Sequence, residues 1–92
     1  MIKSFKDKYT ERLFNRQTVL KWKHIAEIAR EKLAILHAAP SLELLRQKAI
    51  SNLHKLRHDR AGQWAFNITQ KYRVCFYWKN GHAYDVEIID YH

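Results

Sequence analysis

Two runs of period two, joined by Asn80-Gly81, constrain this chain more than anything else in it. Across residues 72–78, Tyr72, Val74, Phe76 and Trp78 fall on one side of an extended strand. Residues 82–88 alternate again. Asn-Gly is favoured in two-residue hairpin loops, where both central residues take positive φ. A third run, residues 63–69, puts Trp64, Phe66 and Ile68 on one face. Together they predict a three-stranded antiparallel meander with one apolar face, and such a face needs a covering layer.

The first half of the chain supplies that layer. Ile2 to Phe5 alternates weakly and predicts an edge strand. Asp7 can cap a short helix through Tyr9, Leu13 and Phe14 to about Arg16. Residues 17–21 form a connection. From 23 to 38, Ile25, Ile28, Ala29, Lys32, Leu33 and Leu36 recur at helical spacing, with the Lys32 stem along the edge of the stripe. Ala39-Pro40 ends this helix, because proline disfavours helical geometry in the residue before it. Ser41 can cap a shorter helix carrying Leu42, Leu44 and Leu45. The expected fold class is α+β: an N-terminal strand and helices on one face of a small, mainly antiparallel sheet that ends in a meander. Only two Gly and one Pro leave little room for a linker, so residues 1–92 read as one domain.

Charge narrows the partners. Seventeen Lys and Arg against nine Asp and Glu give +8 on 92 residues. A balance so basic favours a polyanion, either nucleic acid or an anionic membrane. No apolar run approaches the ~20 residues needed to span a bilayer, and the N-terminus lacks the apolar stretch of a signal peptide. RNA is therefore the leading partner, and the cytoplasm the expected location. The single cysteine, Cys75, sits within an apolar strand and reads as a packed thiol.

Strand alternation also sorts the polar residues. With Val74 and Phe76 facing the helices, Arg73, Cys75 and Tyr77 face the other way, and so do Gln63, Ala65, Asn67, Asp85 and Glu87 on the neighbouring strands. Strict period puts Tyr91 on the Arg73 side and Asp90 and His92 on the other, although a bulge would let all three turn to one site. The final Asp90-Tyr91-His92 joins a carboxylate, a phenol and an imidazole; imidazole moves protons near neutral pH, and the other two can orient it. Residues 53–62, with His54, Lys55, Arg57, His58 and Arg60, read either as a phosphate-holding loop or as a solvated lead-in to the meander. The six His have no zinc-motif spacing, and there is no phosphate-binding glycine loop, so neither metal nor cofactor is expected.

Four segments together resemble the HigB family of toxins in the RelE/ParE superfamily. They are Met1-Ile2-Lys3-Ser4-Phe5-Lys6, residues 53–64 with Asp59-Arg60 and Gly62, Tyr72-Arg73-Val74-Cys75-Phe76, and the terminal Asp90-Tyr91-His92. The resemblance implies a RelE-like fold and a ribosome-dependent mRNA endonuclease, needing no metal. It implies a HigA-type helix-turn-helix antitoxin as partner, the 70S ribosome and mRNA as targets, operator DNA contacted only through the antitoxin complex, and no membrane. The family's working residues map to His54, Arg57, Arg73, Asp90, Tyr91 and His92. Arg57 stands where some relatives have Lys; it can grip phosphate but is a poor proton carrier.

Under that resemblance, the 2′-OH of one nucleotide attacks the adjacent phosphate, leaving a 2′,3′-cyclic phosphate and a 5′-OH. Proton transfer falls to His92, with Asp90 as its orienter and His54 as second candidate. Arg73 and Arg57 stabilise phosphate charge, and Tyr91 stacks on or hydrogen-bonds the RNA. Lys55, His58 and Arg60 join Arg57 in RNA binding, while Lys21 and Lys23 dock the protein on the ribosome. Two other readings stand beside this one: a ParE-like toxin that poisons gyrase by binding, and a basic RNA- or DNA-binding module without catalysis.

Overall fold

The computed structural model describes residues 1–48 and 50–90, with backbone alone at Ser51. Helices α1 (Lys8–Phe14), α2 (Ala26–Ala38) and α3 (Leu42–Arg46) precede strands β1 (Ser51–Lys55), β2 (Gln63–Asn67), β3 (Tyr72–Lys79) and β4 (His82–Asp90). The strands form one antiparallel sheet in the order β1-β2-β3-β4. The fold is α+β, and Asn80-Gly81 turns the β3–β4 hairpin with positive φ at both residues (53° and 81°).

The helix starts follow local chemistry. Asp7 accepts from the Thr10 amide at 2.8 Å, and the Ser41 hydroxyl accepts from the Leu44 amide at 3.1 Å. Each satisfies an amide that the first helical turn leaves unpaired. The long helix is shorter than its apolar stripe predicts. Residues Leu20–Ile25 form a 3-10 turn, and non-helical angles at Trp22 (φ −117°, ψ 16°) break the path before Ala26. Trp22 and Ile25 are both buried, so the turn serves packing rather than helix extension.

Packing follows the strand alternation. Leu33 and Leu36 of α2, Leu13 of α1 and Leu45 of α3 meet Phe66, Val74, Phe76 and Val86 of the sheet, all fully buried. Phe76 lies edge-on to Phe66 and Trp78, with ring centroids 6.0 and 6.3 Å away. Arg30 of α2 donates to the Leu13 carbonyl at 2.7 Å and the Gln17 carbonyl at 3.1 Å, satisfying acceptors at and beyond the end of α1.

The N-terminal segment runs parallel to β4 along its outer edge, bridging Ile2 to Ala83 and Phe5 to Val86. Lys3 and Lys6 donate backbone hydrogen bonds to Ala83 and Val86, and receive the chain's edge in register. Beyond them, the buried Thr10 hydroxyl accepts from the Ile88 amide at 3.1 Å and donates to Asp7. An edge that could otherwise pair with another chain is thereby closed.

Two expectations are corrected here. The meander has four strands, not three: β1 pairs with β2, and its residues 53–55 were read as the start of a basic lead-in. Asn52 (φ 61°) lies within the register shift between Ser51 and His54, which breaks the period that would announce a strand. Asp85 does not join the Arg73 face. Between the Cys75–Glu87 and Tyr77–Tyr84 pairs, β4 carries one more residue than β3, and Asp85 takes φ 51° there. Its amide bonds the Ser4 hydroxyl at 2.9 Å, so this bulge turns it to the N-terminal edge. Among the described residues no helix is long and apolar enough to cross a membrane.

Candidate functional site

The sheet face opposite the helices assembles from three aligned rows. His54, Ala65, Cys75 and Glu87 form one, from the register of β1 to β4. Asn67, Arg73 and Ile89 form the row beside it, and Gln63 faces Tyr77 two residues the other way. Ala65 and Cys75 are fully buried, so the middle is a floor of small side chains.

His54 is held at the edge of that floor. Its Nδ1 lies 2.7 Å from the Asn52 carbonyl oxygen. A carbonyl can only accept, so the hydrogen-bond pattern assigns the proton to Nδ1 and leaves the lone pair on Nε2. The left-handed turn at Asn52 makes this contact local: donor and acceptor are two residues apart. Arg73 sits two strands away on the same face, about 10 Å across at the usual strand spacing. Ala65 of β2 lies between their strands, fully buried.

Charge around the floor is arranged by a second arginine. Arg60 Nη1 donates to Glu87 Oε2 at 3.2 Å and to Gln63 Oε1 at 3.1 Å. Glu87 and Gln63 are buried, so Arg60 ties the 3-10 turn His58–Arg60 to β2 and β4. Burial pushes the Cys75 thiol above its ordinary value of 9.0; Arg60, Arg73 and a hydrogen bond from Arg73 act against this shift, and Glu87 adds to it. The thiol is neutral near pH 7, which suits packing and not nucleophilic attack.

The other expected site residues divide. Arg57 and His58 are exposed on the turn that Arg60 anchors, and His58 takes a left-handed conformation (φ 60°). Lys55 is not brought to this face: it pairs with Trp64, and its ammonium lies 5.9 Å from that ring's centroid. Asp90 pairs with Tyr72, in the strand position facing the helices, and its carboxylate is 3.8 Å from the Lys71 ammonium. Tyr91 and His92 lie outside the described residues. Lys21 holds its ammonium over the rings of Tyr9 (4.2 Å) and Trp22 (4.8 Å); Lys23 beside it is exposed.

Gln63 and Glu87 were placed on this face by alternation, but their bridge to Arg60 was not foreseen. An acid and an arginine 27 residues apart carry no spacing signal; only the fold, through β2, β3 and β4, makes them neighbours. Two larger hollows lie on the helical side. One of about 580 Å³ is lined by Arg16, Glu27 and Arg30 among others; one of about 620 Å³ is largely apolar, between α2 and α3. Neither holds a histidine. Among the described residues no group of three His, Cys, Asp or Glu side chains could hold a metal ion.

Comparison with known proteins covers nearly the whole chain. A family model described as RelE-like toxin of type II toxin-antitoxin system HigB matches residues 3–92. The chain is 36% identical over 94 aligned positions to Endoribonuclease HigB of Proteus vulgaris, with all of both chains covered.

Proposed function

Because the chain belongs to the HigB-like family of RelE-like toxins from type II toxin-antitoxin systems, we propose that it cuts mRNA in the ribosomal A site and so stops translation. The observation that carries this reading is His54, fixed through Nδ1 by the Asn52 carbonyl, with Nε2 free on the same face as Arg73. A fixed imidazole with an available lone pair is a general base in position.

In the proposed reaction His54 Nε2 takes the proton of a ribose 2′-OH, and the oxygen attacks the adjacent phosphorus. The bond to the 5′-oxygen breaks, leaving a 2′,3′-cyclic phosphate and a 5′-OH. His92 returns a proton to the leaving oxygen. Arg73 offsets the charge that builds on the phosphorane oxygens, Arg57 and His58 hold neighbouring phosphates, and Tyr91 contacts the RNA. Arg60 is already bonded to Glu87 and Gln63, so it supports the turn that presents Arg57.

A type II toxin has an antitoxin as partner; we assign it to the HigA-type helix-turn-helix class, with operator DNA reached through that complex. Residues 1–92 act as one toxin domain in the cytoplasm. Lys21 and Lys23, on the helical side, dock it on the ribosome. The test is 5′-end mapping of messages after induction of wild type and of His54→Ala, with and without the antitoxin. Wild type should leave new 5′ ends within reading frames, suppressed by antitoxin, and His54→Ala should reduce them by about 10²–10⁴-fold. Growth arrest with intact messages would overturn the nuclease reading.

A further inference from the structure

Past the floor of the polar face, β3 continues to Tyr77, about 13 Å from Arg73 at the usual strand rise. There a polar cavity of about 350 Å³ is lined by Lys6, Asp59, Arg60, Gln63 and Tyr77. The 2′-OH mechanism uses none of its space. The volume is at the small end of the range for ligand sites, about 300–1,000 Å³.

Four of the lining residues are supported from elsewhere. Tyr77 is 40% exposed, and a Cβ on Gly62 would lie 3.5 Å from its ring. Gly62 has φ +95°, a conformation that side chains rarely adopt, so its position beside the ring carries no side chain and the ring edge there stays uncovered. Arg60 uses Nη1 for Glu87 and Gln63, which leaves other donors of its five N–H groups beside the cavity. Gln63 turns its carbonyl oxygen to Arg60, so the group it offers a ligand is its amide N–H. Lys6 is fixed at its backbone by the Val86 carbonyl at 3.0 Å. An aromatic platform, two cations and a carboxylate acceptor therefore meet in one small hollow.

We propose that this cavity is a nucleotide subsite for a message residue flanking the cleaved bond; the inference rests on the nuclease reading above. The base stacks on Tyr77, its phosphate lies between Lys6 and Arg60, and Asp59 accepts from N–H groups on the base edge. Stacking tolerates every base, because each has a π-face.

The test is single-turnover cleavage on ribosomes programmed with a defined message, comparing wild type, Tyr77→Phe, Tyr77→Ala and Lys6→Ala at several salt concentrations. Tyr77→Ala should raise the half-saturating toxin concentration about tenfold and leave the maximal rate near wild type, while Tyr77→Phe stays near wild type. Lys6→Ala should lower the salt slope by about 0.7, the contribution of one single-strand phosphate contact. A folded Tyr77→Ala with wild-type half-saturation overturns the stacking subsite, and an unchanged slope for Lys6→Ala overturns the phosphate contact. Equal weakening of Tyr77→Ala in co-sedimentation with ribosomes without message would assign the ring to ribosomal RNA and also overturn the proposal. If wild type itself fails to cut, the nuclease reading falls; if wild type cuts and Tyr77→Ala matches it, only the subsite falls.

Discussion

The two faces of the sheet solve opposite problems with the same strands. On the helical face Phe66, Val74, Phe76 and Val86 are fully buried by volume that α1, α2 and α3 supply. On the other face Glu87 and Gln63 are also buried, yet what holds them is a pair of hydrogen bonds from Arg60. The apolar face is non-directional and gains from every methylene removed from water. The polar face is directional, because each hydrogen bond there sets one donor against one acceptor. Stability should therefore depend mainly on the first face and turnover on the second.

The largest effect expected from breaking that division is on the helical side. Phe76→Ala should cost about 3–5 kcal/mol in urea unfolding, since Phe76 is fully buried against Phe66 and Trp78. A loss below 1 kcal/mol would show that the core does not rest on this residue. Next comes Arg73→Ala, expected to slow single-turnover cleavage by about 10²–10³-fold with the ribosome affinity little changed. Near-normal cleavage by a folded variant would remove Arg73 from the reaction.

Glu87→Gln tests whether the polar face contributes to stability as well. The Arg60 side chain is 38% exposed and Glu87 11%, so water screens part of the attraction. The expected cost is about 1 kcal/mol, with a larger effect on cleavage through the Arg57 turn. A stability loss equal to that of Phe76→Ala would erase the contrast between the faces. The smallest effect concerns Cys75. Its thiol ionises above 9.0 in the fold because it is buried, whereas the unfolded chain ionises near the ordinary value. Its contribution is therefore intact below about pH 9 and is lost as pH rises through the folded value. Cys75→Ala should unfold in urea with a shallower alkaline decline than wild type; identical declines would rule this out.

The helical face was largely legible because burial writes a period into the chain. Val74 and Phe76 fell where alternation predicted, and Asp7, Ser41 and Asn80-Gly81 marked ends and turns by local hydrogen bonding or φ. The polar face was legible only in its parity. β1 was missed because Asn52, His54 and Lys55 leave Leu53 alone as an apolar signal and the register shifts among them. Asp85 was misplaced because one extra residue in β4 reverses the parity beyond it. The bond from His54 to the Asn52 carbonyl depends on a left-handed residue that is not glycine, which composition does not announce. The cavity at Tyr77 unites Lys6 with residues more than fifty positions away, a juxtaposition that only the tertiary fold creates.

The pairing of Met1–Lys6 with β4 has a consequence for synthesis. Ribosomes release a chain from its first residue onward, so the opening segment emerges early and has no partner until residues 82–90 follow it. Its hydrogen bonds to Ala83 and Val86, and that of Thr10 to Ile88, span nearly the whole chain. Contacts of such separation form late and together. A nascent copy therefore has neither its β4 wall nor its Arg60–Glu87 bridge while β4 is still unmade, so the polar face is built only once the last strand has joined the first residues.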